Sequence, residues 1–324
     1  MRPVVRTVLG DVPAAELGVC DAHDHLFMRS PRLPGQELDD AEAAGEELRA
    51  FRALGGQAVV QWTPRGMGRR RADLAALASA TGAHVVAATG LHQAVHYARE
   101  YLERDRDRLA ELFVRDLTEG PVRAGLVKVA GGFHGLDEHA RHVMAAAAQA
   151  HHATGAAVAV HLELGTGALE VLDLLCGELD VPPGRVVLGH LNRFPDLRAP
   201  LRAAREGAFL AFDGPSRAHH ATDWRLFDAL TALAGAGHAD RVLLGGDTTT
   251  AAARSSADGP GMPYLLRRLR PALAAELGED FTQQVFVANP ARAFAADWQP
   301  ETSTGGAVGH LRAVRGWSRS SPRP

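Results

Sequence analysis

Lysine is nearly absent from this chain: of its 35 basic residues, 34 are arginine and one, Lys128, is lysine. Drift toward GC-rich codons is a sufficient cause and says nothing about function, but it makes the single lysine a position to follow. Cysteine is scarce as well. Cys20 and Cys176 are too few for a disulfide framework, and their apolar neighbours mark both as plain buried thiols. Long apolar runs are missing: no stretch approaches the ~20 residues that a membrane-spanning helix needs. The opening MRPVVRTVLGDVP has a basic start without the sustained apolar region of a secretory signal, so a cytoplasmic location is expected. Excess charge is missing too, and a net charge of −3 gives no reason to expect nucleic acid as a partner. Arg69-Arg70-Arg71 reads as a solvated helix start, and the alternating stretch from Arg104 to Arg108 as an exposed helix face.

What is present is an ordinary globular composition, 46% hydrophobic and 23% charged over 324 residues, enough for two domains or one large α/β barrel. Short segments rich in Val, Ala and Leu recur at 18–25, 57–63, 84–90, 125–130, 157–162, 186–191, 208–213 and 242–247. They read as parallel strands buried on both faces. Helical spacing lies between them, at 37–54, 69–81, 136–154, 168–179 and 222–236, with Gly-containing breaks such as Thr81-Gly82 and Thr154-Gly155 ending several helices. Eight strands with intervening helices predict a single (β/α)8 TIM barrel. The run FTQQVFVANPARAFA, in which Pro290 begins a new turn, reads as a helical closing segment. The barrel domain is assigned to 1–298, and 299–324, rich in Gly, Ser, Pro and Arg, to a mobile tail.

Active sites of such barrels sit at the C-terminal ends of the strands. The first strand ends in DAHDHLF, where the two-residue spacing puts His23 and His25 on one face and Asp24 on the other. The fourth carries Lys128, the fifth His161, the sixth His190, and the eighth ends at Asp247. Taken singly each is weak evidence: a lone strand histidine is usually a hydrogen-bonded core residue, a lone lysine can snorkel, and a lone aspartate can cap a helix. Together, on one face of one barrel, they are costly to bury without a cation. Imidazole and carboxylate suit zinc and similar metals. The Lys128 ammonium would repel a metal and fits only when neutral or modified. Addition of carbon dioxide turns it into an anionic carbamate that can bridge two ions, which predicts a binuclear site.

With these residues in place the chain resembles the phosphotriesterase family of the amidohydrolase superfamily, which includes phosphotriesterase-like lactonases. The resemblance runs through TVLGDVPAAELGVCDAHDHLF, LVKVA, HLELGTGALEVLDLL, GHLNRFPDL, LLGGDTTT and NPARAFA, nearly everything but the tail. It implies a distorted TIM barrel holding two divalent metals, commonly zinc. His23, His25 and Asp247 match the ligands of one metal and His161 and His190 those of the other. Lys128 matches the carboxylated lysine that bridges them beside a hydroxide. Such a hydroxide, its pKa lowered by two metals, would attack a carbonyl or phosphoryl centre polarised by one of them, with Asp247 taking up or relaying the proton. No Ser or Cys nucleophile is required, in keeping with the lack of a G-x-S-x-G elbow.

The chain departs from the family where substrate is decided. Many relatives carry an acidic residue two or three positions after the sixth-strand histidine; here Leu191-Asn192-Arg193 follow His190. His219-His220 stand where relatives acting on phosphorylated sugar lactones tend to have Lys-Tyr, and only Arg254 and Ser255 remain of their Arg-Arg-Ser-Tyr stretch, so a phosphate-bearing substrate is not favoured. His92 and His96, after the third strand, lie near the expected pocket mouth, and together with His219, His220 and Arg254 are candidate substrate contacts. The Gly pairs 131–132 and 245–246 lack phosphate-loop spacing and read as turns; His151 and His152 read as structural. The expected activity is hydrolysis of a small-molecule lactone or related ester, with no membrane partner and with a homodimer among the assemblies allowed. A phosphotriester hydrolase, a mononuclear deaminase and a non-catalytic metal-binding homologue are the alternatives.

Overall fold

The computed structural model describes residues 3–214 and 225–298. It opens with a hairpin, β1 (Val4–Thr7) and β2 (Gly10–Pro13). Strands of four residues are too short for alternation to show in a sequence, and nothing in the sequence reading anticipates this hairpin. Eight parallel strands follow: β3 (Cys20–Asp24), β4 (Ala58–Gln61), β5 (His84–Thr89), β6 (Leu126–Ala130), β7 (Ala157–His161), β8 (Val186–Leu188), β9 (Phe209–Asp213) and β10 (Val242–Gly245). All fall within the eight expected segments, and each pairs with the next. β10 then returns to β3, where the Asp247 N–H donates to the His23 carbonyl at 2.9 Å and the Gly246 N–H to Asp21 Oδ1 at 3.2 Å. The result is the expected barrel, nearly closed. Gly245 permits that seam, because a Cβ there would lie 2.4 Å from the His23 carbonyl oxygen.

The helices form where caps and spacing direct them. Helix α1 (Ala41–Ala53) starts on Asp40, whose carboxylate accepts from the Glu42 and Ala43 N–H groups. Helix α2 (Arg71–Thr81) ends on left-handed Gly82. Two helices precede β6: α3 (Arg99–Asp105), whose end meets the helix face expected at 104–108, and α4 (Leu109–Thr118), for which there was no expectation. Helix α5 (Glu138–Thr154) ends on left-handed Gly155. The helix expected at 168–179 is α-helical only as α6 (Ala168–Leu172) and continues as a wider π turn, Asp173–Glu178, which buries the adjacent Leu174 and Leu175. The helix expected at 222–236 is described as Leu226–Gly235. In the closing segment Pro290 stands in the first turn of Asn289–Phe294, and the next strand, β11 (Ala295–Ala296), pairs with β1. The segment 299–324 lies outside the described residues.

Two further expectations need correction. Arg69-Arg70-Arg71 is not a wholly solvated helix start, because Arg69 and Arg71 turn with Arg65 onto Asp116 of α4. Their nitrogens lie 2.9, 3.3 and 2.6 Å from its carboxylate, and the Thr89 hydroxyl donates to it at 2.7 Å. The attracting carboxylate is 45 or more residues away in the chain, so local charge patterning cannot disclose it. Cys176 is only half-buried, although Cys20 is buried as expected; both are free thiols. Arg104, Arg106 and Arg108 are exposed as expected.

Strand alternation aims the chemistry. Inside the barrel Val60, Ala88, Leu126, Ala159, Ala211 and Leu243 belong to one apolar cluster. Two residues further on, on the same face, come Lys128 after Leu126, His161 after Ala159 and Asp213 after Ala211. A second, larger apolar cluster, which includes Leu48, Leu74 and Phe113 of the helices, packs outside.

Candidate metal centre

The first strand needs an irregularity to deliver its histidines. Cys20 and Ala22 face the apolar interior, so simple alternation would send Asp24, not His23, into the barrel mouth. Pairing with β4 shifts register between Asp21 and Asp24, a bulge that re-aims the following side chains. Asp24 instead accepts from the N–H groups of His25 and Thr248, at 2.6 and 3.0 Å. At the other strand ends His190 and Asp247 hold left-handed backbone, with φ of 65° and 50°. That conformation is uncommon outside glycine and here turns both side chains inward.

His23, His25, Lys128, His161, His190 and Asp247 line one cavity of about 110 Å³. The Nε2 atoms of His23 and His25 lie 3.5 and 3.4 Å from Asp247 Oδ1, and the ligand atoms of the three fit within 4.8 Å of one another. His161 Nδ1 and His190 Nε2 lie 2.7 Å apart. Burial pushes the Lys128 ammonium down to about 7, against the opposing pull of Asp247 and Glu163. Burial likewise lowers His25 and His190 and takes His161 to about 3, so at neutral pH these imidazoles are in the uncharged, ligating form.

The outer ring nitrogens decide what the inner ones offer. Asp213 Oδ1 lies 3.1 Å from His23 Nδ1 and its Oδ2 2.5 Å from His190 Nδ1; a carboxylate only accepts, so both Nδ1 atoms carry hydrogen. The Thr63 hydroxyl, donating to the Phe27 carbonyl at 2.6 Å, accepts from His25 Nδ1 at 2.8 Å. With Nδ1 so engaged, Nε2 is the nitrogen that each of these rings has left to offer a cation, beside the Asp247 carboxylate. Lone pairs and a carboxylate facing one another fit a cation. His23, His190 and Asp213 form a second group tight enough to hold an ion, but these hydrogen bonds use the Nδ1 atoms, and the carboxylate serves to orient the rings. Trp62 completes the support, stacking on His23 at 3.9 Å and 23°.

Asp213, Thr63, Glu163 and Arg193 escape the sequence reading. Asp213 carries a signal in the alternation from Ala211, whereas the others follow strand ends and reach the site only through folding. Arg193 Nε donates to Asp213 Oδ2 at 3.1 Å and its Nη2 to Asp247 Oδ2. It helps hold both carboxylates anionic against burial, which alone would push them up. Asn192 pairs with the Asp213 backbone, accepting from N–H and donating to C=O at 3.2 Å each.

His92 and His96 also line the cavity, with the His92 ring 4.4 Å from His96 and 4.5 Å from His161. Burial lowers both, His96 to about 4. Arg254 is not brought there. Its side chain is buried elsewhere, donating to the carbonyls of Leu26 and Asp40, because a buried guanidinium goes where carbonyls satisfy it. His219 and His220 lie outside the described residues. Because Asp213 orients two rings at once, Asp213→Ala is expected to weaken metal affinity by about 10–100-fold, measured by titrating zinc into metal-stripped protein.

Comparison with known proteins yields a consistent set. The profile of the phosphotriesterase family matches residues 3–294. A phospho-furanose lactonase of Mycoplasmopsis agalactiae is 30% identical over 248 residues, 69% of this chain and 70% of that protein. An N-acetyltaurine hydrolase of Danio rerio is 25% identical, with 90% and 98% of the two chains covered. The crystal structure of a lactonase from Listeria monocytogenes superposes with a TM-score of 0.83 at 28% identity, covering 90% of this chain and 98% of that one.

Proposed function

Since the chain belongs to the phosphotriesterase family, we propose that it is a hydrolase with two divalent metal ions, zinc expected, acting on a lactone or related ester. The observation that carries this is the convergence of His23, His25 and His190, each held at Nδ1, and the Asp247 carboxylate on one cavity that also contains Lys128. His23, His25 and Asp247 would hold one ion, and His161 and His190 the other. Lys128, through addition of its neutral amine to carbon dioxide with loss of a proton, supplies an anionic bridge. When bound, such a pair of ions draws a nucleophile from water and polarises the substrate's carbonyl oxygen.

The remaining work falls to side chains. Asp247, with Oδ1 toward the ligand rings and Oδ2 on Arg193, takes the proton released during attack. Met28, Leu33 and Met67 give the cavity an apolar wall that excludes water from the rest of the substrate. His92 and His96, neutral and facing the same space, contact the polar part of the substrate. The lactonases among the relatives support an activated carbonyl as the target, and the burial of Arg254 away from the cavity supports a substrate without phosphate.

The test is reconstitution of metal-stripped protein with zinc, followed by turnover of matched lactone, aryl ester, amide and aryl phosphotriester panels. Two ions per chain and preference for lactones are expected. A clear preference for the phosphotriester, or one ion per chain with unmodified Lys128, would overturn the assignment.

A further inference from the structure

We propose that Glu163 and Gln93 are positioning residues for His161, fixing which ring nitrogen that histidine offers to a metal ion; the inference rests on the metal-centre reading above. Glu163 Oε2 lies 3.0 Å from His161 Nε2. A carboxylate accepts and does not donate, so the hydrogen of the neutral ring sits on Nε2 and the lone pair on Nδ1. That Nδ1 is the atom 2.7 Å from His190 Nε2, whose own lone pair is set by Asp213 at the far side of the ring. With both outer hydrogens claimed, two lone pairs face each other at hydrogen-bond distance with no hydrogen of their own to share. A cation resolves that conflict, and Glu163 is the group that creates it on the His161 side.

Glu163 is half-buried on a loop and by itself free to swing into solvent. Gln93 restrains it. Its carboxamide nitrogen donates to Glu163 Oε2 at 2.9 Å and to the Gly131 carbonyl at 2.8 Å, tying the loops after β5, β6 and β7 together. The ring of His161 is thereby held by a strut that spans three loops, in the manner of the outer hydrogen bonds that orient metal-binding histidines elsewhere.

The experiment titrates zinc ions into metal-stripped wild type, Glu163→Leu, Glu163→Gln and Gln93→Leu, and records histidine ¹⁵N spectra of the metal-free proteins. Wild type is expected to take up two ions. Glu163→Leu keeps the first and binds the second about 10–100-fold more weakly. Glu163→Gln, whose Oε1 still accepts from Nε2, stays close to wild type, and Gln93→Leu falls between. In the spectra His161, assigned by its loss in His161→Gln, is Nε2-protonated in wild type and a mixture of tautomers in Glu163→Leu. The proposal is overturned by wild-type affinity for both ions in Glu163→Leu with an unchanged tautomer, or by equal weakening of both ions, which marks a general structural loss. Wild type that binds no metal sinks the metal-centre reading instead, while the metal-free spectra still decide whether Glu163 sets the tautomer.

Discussion

Replacement of Lys128 by arginine is expected to lower turnover by about 10³-fold or more, equivalent to roughly 4 kcal/mol of barrier, and to remove bound metal at the same time. Lys128 is 3% exposed, within a cavity lined by four candidate histidine ligands. Burial pushes its ammonium down to about 7, so a neutral amine able to take up carbon dioxide is present at physiological pH. A guanidinium remains protonated and forms no such carbamate. In the same place it would set a permanent positive charge against any metal ion. Lys128→Ala is expected to show the same double loss but, having left a space, to recover part of both when a short carboxylic acid and metal are supplied. Elemental analysis beside turnover measurements checks the pair. Retention of two metal ions and activity by Lys128→Arg would remove the bridge from the mechanism.

The largest effect on stability is expected at Asp116, which does not line the cavity. Its buried carboxylate serves Arg65, Arg69, Arg71 and the Thr89 hydroxyl. Asp116→Asn leaves three guanidinium groups converging on a neutral amide and is expected to cost about 3 kcal/mol, the lower end for a broken buried pair, since Arg71 remains about one-third exposed. Burial pushes the Asp116 carboxyl up, but Arg69, Thr89 and Arg65 together outweigh it and hold the group below its ordinary value. A depressed folded-state pKa stabilises above the unfolded value, near 4 for an aspartate, and that contribution is lost as pH falls through the lower folded value. The gap in unfolding free energy between wild type and Asp116→Asn is therefore expected to be full at pH 6 and to shrink below about pH 4. Urea unfolding at a series of pH values measures it; a gap independent of pH would mean that charge is not what Asp116 contributes.

The arginine run that meets Asp116 shows one limit of reading a chain locally. Three adjacent arginines look solvated because the one acid within a helical turn, Asp73, answers only Arg70; the charge that gathers Arg69 and Arg71 lies on α4. The hairpin β1–β2 and the short β11 were illegible for a related reason, since two to four residues are too few to display a period. The eight barrel strands were legible because each is a compact apolar run, several follow a Gly-marked helix end, and eight such runs alternating with helices match the count of a closed barrel.

The candidate site divides along the same line. Residue type and strand period brought Lys128, His161 and the strand-end histidines to attention from the chain alone, because alternation is a local property of an extended backbone. His23 entered the cavity through a bulge in β3, and His190 and Asp247 through left-handed backbone beyond β8 and β10, features settled by how neighbouring strands close the barrel. The same closure took Arg254 away to satisfy buried carbonyls and brought in Asp213, Thr63, Glu163 and Arg193. The candidate ligands were therefore visible in residue type and spacing. Ring orientation, and with it which nitrogen each histidine presents, depends on acceptors such as Asp213, 190 residues from His23 in the chain. A hydrogen-bond network of that reach exists only once the barrel brings its members to hydrogen-bond distance.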